Sequence, residues 1–296
     1  MSRPDKLLLC SDLDRTLLPN GPQEESPQAR PLLRAIAALP EVTLVYVSGR
    51  HKQLLIDAIH DYDLPMPEYA IGDVGTTIYH VNGKDWHLWQ DWHDEIADDW
   101  QGMTHDELAA LLADVDHLQR QEPAKQNTYK LSYYAPEDTD RDTLLGVIKQ
   151  RLDSRQVNAS LIWSIDEMAH TGLLDVLPAS ATKLHAVRFL MQRTGFDESN
   201  SVFAGDSGND LPVLTSSLPS VLVANASEAV RNEAIEVTRQ AGYQHSLYCA
   251  QGNFLGMNGN YTAGVLEGLA HYHPAIVETA LEMVGDTGFE AVTPAV

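Results

Sequence analysis

The feature that most constrains this chain is its first apolar run, Leu7-Leu8-Leu9-Cys10, which passes through Ser11 and stops at two aspartates, Asp12 and Asp14. An unbroken apolar run reads as a strand covered on both faces, the mark of a parallel sheet with helices on either side. In open α/β sheets the ligand lies beyond the carboxyl ends of the strands. Two carboxylates spaced i, i+2 at that end are therefore placed for chemistry. The same pair also suits a plain strand-ending turn, because Asp favours turns.

Three further stretches weigh against the plain reading. Val45-Tyr46-Val47 is a second apolar run and ends in Ser48-Gly49-Arg50. Ala181-Thr182-Lys183 opens a later helix, with Lys183 in its first turn. The positive dipole end of a helix disfavours a cation by ~0.3–1 kcal/mol, so a lysine there is best explained by an anion in front of it. Val202-Phe203-Ala204-Gly205 is another buried strand, and Asp206-Ser207-Gly208-Asn209-Asp210 follows it. Asp210 also stands where a helix N-cap would, with Pro212 just after it. Strands ending in carboxylates, one ending in Ser-Gly, and a lysine together suggest a site for a divalent cation and a phosphate.

Taken in order, DLDRTLL, SGR, the lysine and GDSGND resemble the motifs of the haloacid dehalogenase superfamily of aspartate-nucleophile phosphatases. The resemblance implies that Asp12 attacks phosphorus and that Asp14 serves as acid and then base. It also implies that Ser48 and Gly49 hold phosphoryl oxygens, and that Lys183 bridges phosphate and nucleophile. Mg²⁺ is the implied cofactor, with Asp12, Asp206 and the Asp14 backbone carbonyl as ligands and Asp210 orienting metal-bound water. Asn209 is expected to reach the phosphate, and Arg50 to face the phosphate or the sugar rim.

Composition narrows the partners. The net charge is −22, which argues against nucleic acid or an anionic membrane surface. An anionic substrate then needs a local positive focus, for which Arg50, Lys183 and bound Mg²⁺ are the candidates. The acidity fits first a solvated, soluble surface, with adaptation to a salty cytoplasm as a sharper alternative. No stretch approaches the ~18 apolar residues of a membrane span. The N-terminus runs straight into the first strand with no room for a signal peptide. Cys10 and Cys249 are the only cysteines, too few for a disulfide framework, so a cytoplasmic location is expected. The twelve histidines show no zinc spacing.

The expected fold class is α/β, a Rossmann-like parallel-sheet core domain with an inserted, smaller α+β cap domain. Residues 1–82 and 180–296 are assigned to the core and 83–179 to the cap. The core reading rests on a strand, helix, strand rhythm (strands at 42–48 and 69–72, helices at 29–39 and 52–59) and implies right-handed crossovers. Val81 to Lys84 reads as a hairpin turn. Trp86, Trp89, Trp92 and Trp100 cluster after it, as a helix face or small-domain core, or else as an aromatic platform for a sugar ring. Strands are expected at 127–134, 161–164 and 173–177, and a helix at 140–152. Ser180 is the expected cap of the Lys183 helix. Further on, a strand at 219–224, a helix from Ser227, an edge strand within 244–249 and a helix at 262–271 with Gly264 and Gly268 one turn apart complete the reading. Residues 285–296 read as a loose tail.

Longer segments sharpen the resemblance: SDLDRTLL, VGT at 74–76, NTYKLSYY, LLDVLPASATK, GDSGND, VANA at 223–226 and YTAGVLEGLAHY are similar to sucrose-phosphate phosphatases, across nearly the whole chain to about residue 273. That family implies hydrolysis of sucrose 6-phosphate with Mg²⁺, the last step of sucrose synthesis. Two positions depart from it: Arg15 stands where Asn is usual, and Ser48 where Thr is usual. Lys130 and Asp175, on facing lid strands, are the candidates for sugar hydroxyl contacts. Mannosylfructose phosphate and glucosylglycerol phosphate remain open as substrates. So do phosphotransfer to a second sugar and a non-catalytic sugar-phosphate binder, the last of which predicts loss of at least one of Asp12, Asp14, Lys183 or Asp206. The expected partners are a small-molecule sugar phosphate and a sucrose-phosphate synthase, with the chain itself a monomer.

Overall fold

The structure is a computed structural model that describes residues 6–166 and 169–285. The described strands are β1 (Leu7–Ser11), β2 (Val42–Val47), β3 (Tyr69–Gly72), β4 (Thr77–Asn82), β5 (Asp85–Leu88), β6 (Gln119–Arg120), β7 (Leu131–Pro136), β8 (Ala159–Asp166), β9 (Thr171–Pro178), β10 (Ser201–Gly205), β11 (Ser220–Leu222) and β12 (Leu247–Cys249). The helices are α1 (Ala29–Ala37), α2 (Lys52–Asp61), α3 (Gln90–Ala97), α4 (His105–Leu111), α5 (Arg141–Ser154), α6 (Lys183–Thr194), α7 (Leu211–Leu214), α8 (Glu228–Ala241), α9 (Thr262–Tyr272) and α10 (Pro274–Gly285).

β1 is fully buried and lies at the centre of an eight-stranded sheet of order β12-β11-β10-β1-β2-β3-β4-β5. It pairs in parallel with β10 on one side and β2 on the other. From β1 the chain first builds outward through β2 and β3, and later returns to build the other way through β10, β11 and β12. The gap between β1 and β10 is thus the point where strand order reverses, the usual place for a ligand in such sheets. Alternate residues of β1 serve opposite cores. Leu7 and Leu9 pack with α1, α2, α9 and α10, whereas Leu8 and Cys10 pack with α3, α6, α7 and α8. This two-sided cover is why β1 reads as a continuous apolar run rather than an alternating one.

A second, four-stranded antiparallel sheet has the order β6-β7-β9-β8. Leu131, Tyr133, Leu174 and Val176 point to one face and pack on Leu108 of α4 and Leu144, Ile148 and Leu152 of α5. By the period of two along a strand, Ser132 and Asp175 point to the opposite face, where they sit directly across from each other.

Several expectations change on inspection. The core-to-cap boundary at 82/83 falls too early for sheet membership. β5 pairs with β4 in the large sheet, and Trp92 and Ile96 of α3 are buried in its core. The physical reason is the Asn82-Gly83 turn, which folds β5 back onto β4 instead of leaving the sheet. The tryptophans divide accordingly: Trp86 and Trp92 are buried in the large-sheet cores and Trp100 in the small one, while Trp89 packs half-buried against Tyr69 and Phe189, so three of the four fill cores. The Lys183 helix is capped by the Thr182 hydroxyl, which accepts from His185 N, rather than by Ser180. Ser180 N instead donates to Asp99 Oδ2 at 2.6 Å. α10 has no counterpart among the sequence expectations. The expected tail, beyond Gly285, lies outside the described residues, as do residues 1–5.

α9 is buried along most of its length and crosses close to β11. A Cβ placed on Gly264 would sit 2.2 Å from the Gly259 carbonyl oxygen. Gly264→Ala is therefore expected to destabilise the protein by about 1–3 kcal/mol, despite the ~1 kcal/mol that Ala gains over Gly inside a helix. Urea unfolding measures the balance, and a stabilised variant would contradict the close approach.

Candidate active site

The carboxyl ends of β1, β2 and β10 and the first turn of α6 bring together the residues nominated from sequence. Asp12 leaves β1 with its amide N bonded to Ala204 O of β10 at 2.9 Å. Asp206 leaves β10, and Asp210 folds back beneath it. The fold-back depends on Gly205, because a Cβ there would lie 2.6 Å from Asp210 Cγ. Carboxylate oxygens of Asp12, Asp206 and Asp210 lie within 4.8 Å of one another, and all three residues are buried. Lys183 Nζ enters the cluster from α6, 3.2 Å from Asp12 Oδ1 and 2.7 Å from Asp210 Oδ1, and donates to Asn209 Oδ1 at 2.9 Å.

Asp210 does not use its side chain to cap α7. Its Oδ2 accepts from the amides of Asp206 and Ser207, each at 3.1 Å, while Oδ1 holds Lys183. Both oxygens are committed, so Asp210 positions its neighbours. Burial pushes the Asp12 carboxyl up, with the Lys183 charge opposing it. Burial, reinforced by the Asp210 charge, pushes Asp206 up to about 6. Lys183 is raised despite its burial, because Asp12 and Asp210 both favour the ammonium.

Asp14 has a different setting. Arg50 grips it bidentately, Nε to Oδ2 at 2.8 Å and Nη2 to Oδ1 at 2.6 Å, and Asn20 Nδ2 donates to Oδ1 at 2.7 Å. Partial burial works against ionisation, but the Arg50 hydrogen bonds and charge outweigh it and hold the carboxyl below its usual range. Arg50, expected at the phosphate or the sugar rim, is thus bound to Asp14 in this arrangement. Ser48 is buried, and its Oγ accepts from Arg50 N at 3.2 Å. Asp12, Asp14, Gly49, Arg50, Asp206 and Asn209 line one open cleft of about 340 Å³ together with Arg15, Leu54 and Ser207. A wider cleft of about 570 Å³ lies against α5, where Arg151 binds Asp114, and none of the nominated residues lines it.

Lys130 and Asp175 do not line the cleft. They pair with each other at 3.1 Å, and Ser132 Oγ donates to Asp175 Oδ1 at 2.5 Å. They meet on the face of the small sheet opposite α4 and α5, where Lys130 Nζ also donates to Lys125 O at 3.0 Å. One link to the large sheet runs through Asn127, whose Nδ2 donates to Thr76 Oγ1 at 3.0 Å.

Sequence reading missed four contributors. Thr16 Oγ1 donates to Asp206 Oδ1 at 3.3 Å. Asn20 and Asn225 brace the Asp14–Arg15 loop from two sides. Asp73 ends β3 beside Arg50, whose carbonyl accepts from Asp73 N at 2.9 Å. The DLDRTLLPN stretch carried a signal for Asn20, which lies within reach of its own loop. Asn225 acts across 210 residues, and the VANA run that contains it does not reveal Arg15 as its partner. Asp73, Val74 and Gly75 all have positive φ, of 51°, 62° and 95°. Three such residues in a row, one of them β-branched, store strain in this turn.

The comparisons with known proteins agree with this geometry. The sequence model of one family, sucrose-6F-phosphate phosphohydrolase, matches residues 5–273. The chain belongs to this family. A HAD-like protein of Nitrosococcus oceani is 58% identical over 94% of this chain and 75% of its own length. A mannosylfructose-phosphate phosphatase of Agrobacterium fabrum is 27% identical over 90% of this chain and 96% of its own. The crystal structure of the sucrose-phosphatase of Synechocystis sp. PCC6803, in complex with sucrose and phosphate, superposes with a TM-score of 0.67 at 26% identity, over 90% of this chain and 98% of that one. As a family member this chain is a HAD-type phosphohydrolase with the expected α/β fold. No helix among the described residues is long and apolar enough to cross a membrane.

Two measurements test the electrostatics. Lys183→Met leaves Asp12 and Asp210 buried without their cation and is expected to cost about 3–5 kcal/mol in metal-free urea unfolding. Adding Asp210→Asn to that variant should recover part of the loss, and an unchanged midpoint in the single variant would contradict the bridge. Asp73 is raised by burial, against the opposing Thr77 hydrogen bond and Lys130 charge. A raised folded-state pKa means full stability at low pH that is lost as pH rises through the folded value. Asp73→Asn, which does not ionise, should therefore gain on the wild type in thermal melts from about pH 4 to neutrality. A difference that stays flat across that range would contradict it.

Proposed function

We propose that this chain is a Mg²⁺-dependent phosphatase that hydrolyses sucrose 6-phosphate to sucrose and phosphate through an aspartyl-phosphate on Asp12. The observation that carries the reading is the meeting of Asp12, Asp206 and Asp210 around Lys183 at the point where strand order reverses. The donor set fits magnesium, since it is all hard oxygen and includes buried carboxylates whose ionisation burial opposes. Asp12 and Asp206 would hold the ion, which when bound offsets the phosphoryl charge.

The protein's own groups do the rest. Asp12 attacks phosphorus as the bond to the sugar oxygen breaks. Asp14 delivers a proton to that oxygen, then takes one from the water that attacks phosphorus and frees Asp12. For this, Asp14 must leave Arg50 and Asn20, take up a proton from solvent and turn one oxygen toward the leaving group. Ser48 and the Gly49 amide hold phosphoryl oxygens, and Lys183 offsets repulsion between Asp12 and the phosphate. Asn209, already bonded to Lys183, sits at the cleft wall. We further propose that residues 98–179 form a cap that carries Lys130 and Asp175 to the sugar and excludes bulk water on closing.

A second reading, a phosphatase for mannosylfructose phosphate, is favoured by the Agrobacterium relative, whose 27% identity matches that of the Synechocystis structure at 26%. A non-catalytic binder is disfavoured, because Asp12, Asp14, Lys183 and Asp206 are all retained. The test is phosphate release from sucrose 6-phosphate, mannosylfructose phosphate and glucosylglycerol phosphate, with Mg²⁺ and with chelator. Sucrose 6-phosphate is expected to be the best substrate, and only with Mg²⁺. Asp12→Asn should lower turnover by at least about 10³-fold, in line with loss of a nucleophile, while its melting profile stays cooperative. Substantial residual activity in the purified variant would remove Asp12 from the role.

A further inference from the structure

The four carboxylates of the cleft share three basic side chains. Lys183 joins Asp12 and Asp210, Arg50 clamps Asp14, and Arg15 lies against Asp206. The last contact differs from the others. It is the longest, with Nε 3.5 Å from Oδ2, and the Arg15 side chain is 44% exposed, against 3% for Lys183 and 24% for Arg50. It is also deliberately held. Arg15 has φ of 58°, a left-handed conformation that a residue with a Cβ adopts only at a cost. Asn225 Nδ2 donates to Arg15 O at 2.7 Å, and Asn225 Oδ1 accepts from Tyr261 N at 2.7 Å. The Asn225 carbonyl accepts from Arg15 Nη2 at 3.5 Å, and Arg15 N donates to Asn20 Oδ1 at 2.8 Å. Two asparagines from distant parts of the chain thus hold an unfavourable backbone conformation that aims a guanidinium into the cleft.

We propose that Arg15 is an exchangeable counter-ion. It neutralises Asp206 while the aspartate cluster lacks a cation, leaves Asp206 when a divalent cation takes that carboxylate, and then offers its planar fork to the phosphoryl oxygens. This rests on the reading of the aspartates as a divalent-cation site. A guanidinium and a divalent cation on one carboxylate repel each other, and the Arg15 contact, the longest of these and made by the most exposed cation, is the one that yields. Arg15 lines the same cleft as Asp12 and Arg50, so a short swing keeps it inside, where a planar donor fork suits a phosphate. Cation and phosphate then help each other bind, and the coupling is reciprocal.

The experiment is calorimetry on chelator-treated wild type, Arg15→Asn, Arg15→Lys and Asp206→Asn, titrated with MgCl₂ alone and with inorganic phosphate in the absence and presence of Mg²⁺. Asn tolerates positive φ better than Arg, so Arg15→Asn should fold, and Arg15→Lys retains the charge if it does not. In wild type, Mg²⁺ should tighten phosphate binding by about tenfold or more, within the range typical of coupled sites. Arg15→Asn should bind Mg²⁺ alone about threefold tighter and lose most of that coupling, while Arg15→Lys keeps part of it. Mg²⁺ affinity and coupling in Arg15→Asn equal to wild type would overturn the exchange. Asp206→Asn separates the two claims: undiminished Mg²⁺ binding there would overturn the cation site itself, whatever Arg15→Asn shows.

Discussion

One buried ammonium holds the site together. Lys183 comes from the first turn of α6 and reaches two carboxylates that lie 198 positions apart in sequence, Asp12 after β1 and Asp210 after β10. All three groups are nearly inaccessible to water. A buried charge is tolerated only when paired and hydrogen-bonded, so each of the three requires the other two. The lysine sits at a helix end whose dipole disfavours it, which makes sense only with anions in front of it. The order of the sheet follows the same requirement. β1 and β10 are neighbours, and the chain reverses its direction of growth between them, so the two acidic strand ends open side by side.

Around that bridge the cleft is kept close to electrical balance by pairing. Arg50 on Asp14 and Arg15 on Asp206 cover the carboxylates that Lys183 does not reach. For a protein of net charge −22, this arrangement gives an anionic substrate a local site that long-range attraction does not supply. The pairs also imply motion. Asp14 has both oxygens engaged with Arg50 and Asn20, an arrangement that suits a resting state better than proton transfer. The strained turn at 73–75 lies where Asn127 of the small-sheet region meets Thr76.

The sequence made much of this legible, for identifiable reasons. A strand covered on both faces is apolar throughout, so β1, β2 and β10 stand out, and the polar residues that interrupt them mark the strand ends. The nucleophile candidate, the second aspartate, the lysine and the GDSGND carboxylates all came from that contrast. The division of the tryptophans did not. Trp86 and Trp92 follow a turn that folds back onto the large sheet, and tryptophan density alone does not say which core receives it. The Arg50–Asp14 and Asn225–Arg15 contacts were hidden because each joins residues on separate strands or loops, and a local pattern carries no trace of them. Asp175 lies on β9 and Lys130 one residue before the adjacent β7, and their ion pair joins separate segments, which single-strand reading does not give.

The most direct test of the account is chemical trapping of the phosphorylated carboxylate. Wild-type protein is quenched with acid during turnover of a sugar phosphate in Mg²⁺, reduced with borohydride and digested. Peptide mass spectrometry should then find Asp12, and neither Asp14 nor Asp206, converted to homoserine, with no conversion when substrate is omitted. Conversion at another aspartate, or steady phosphate release with every aspartate unmodified, would contradict the claim that this cluster exists to carry a phosphoryl group on Asp12.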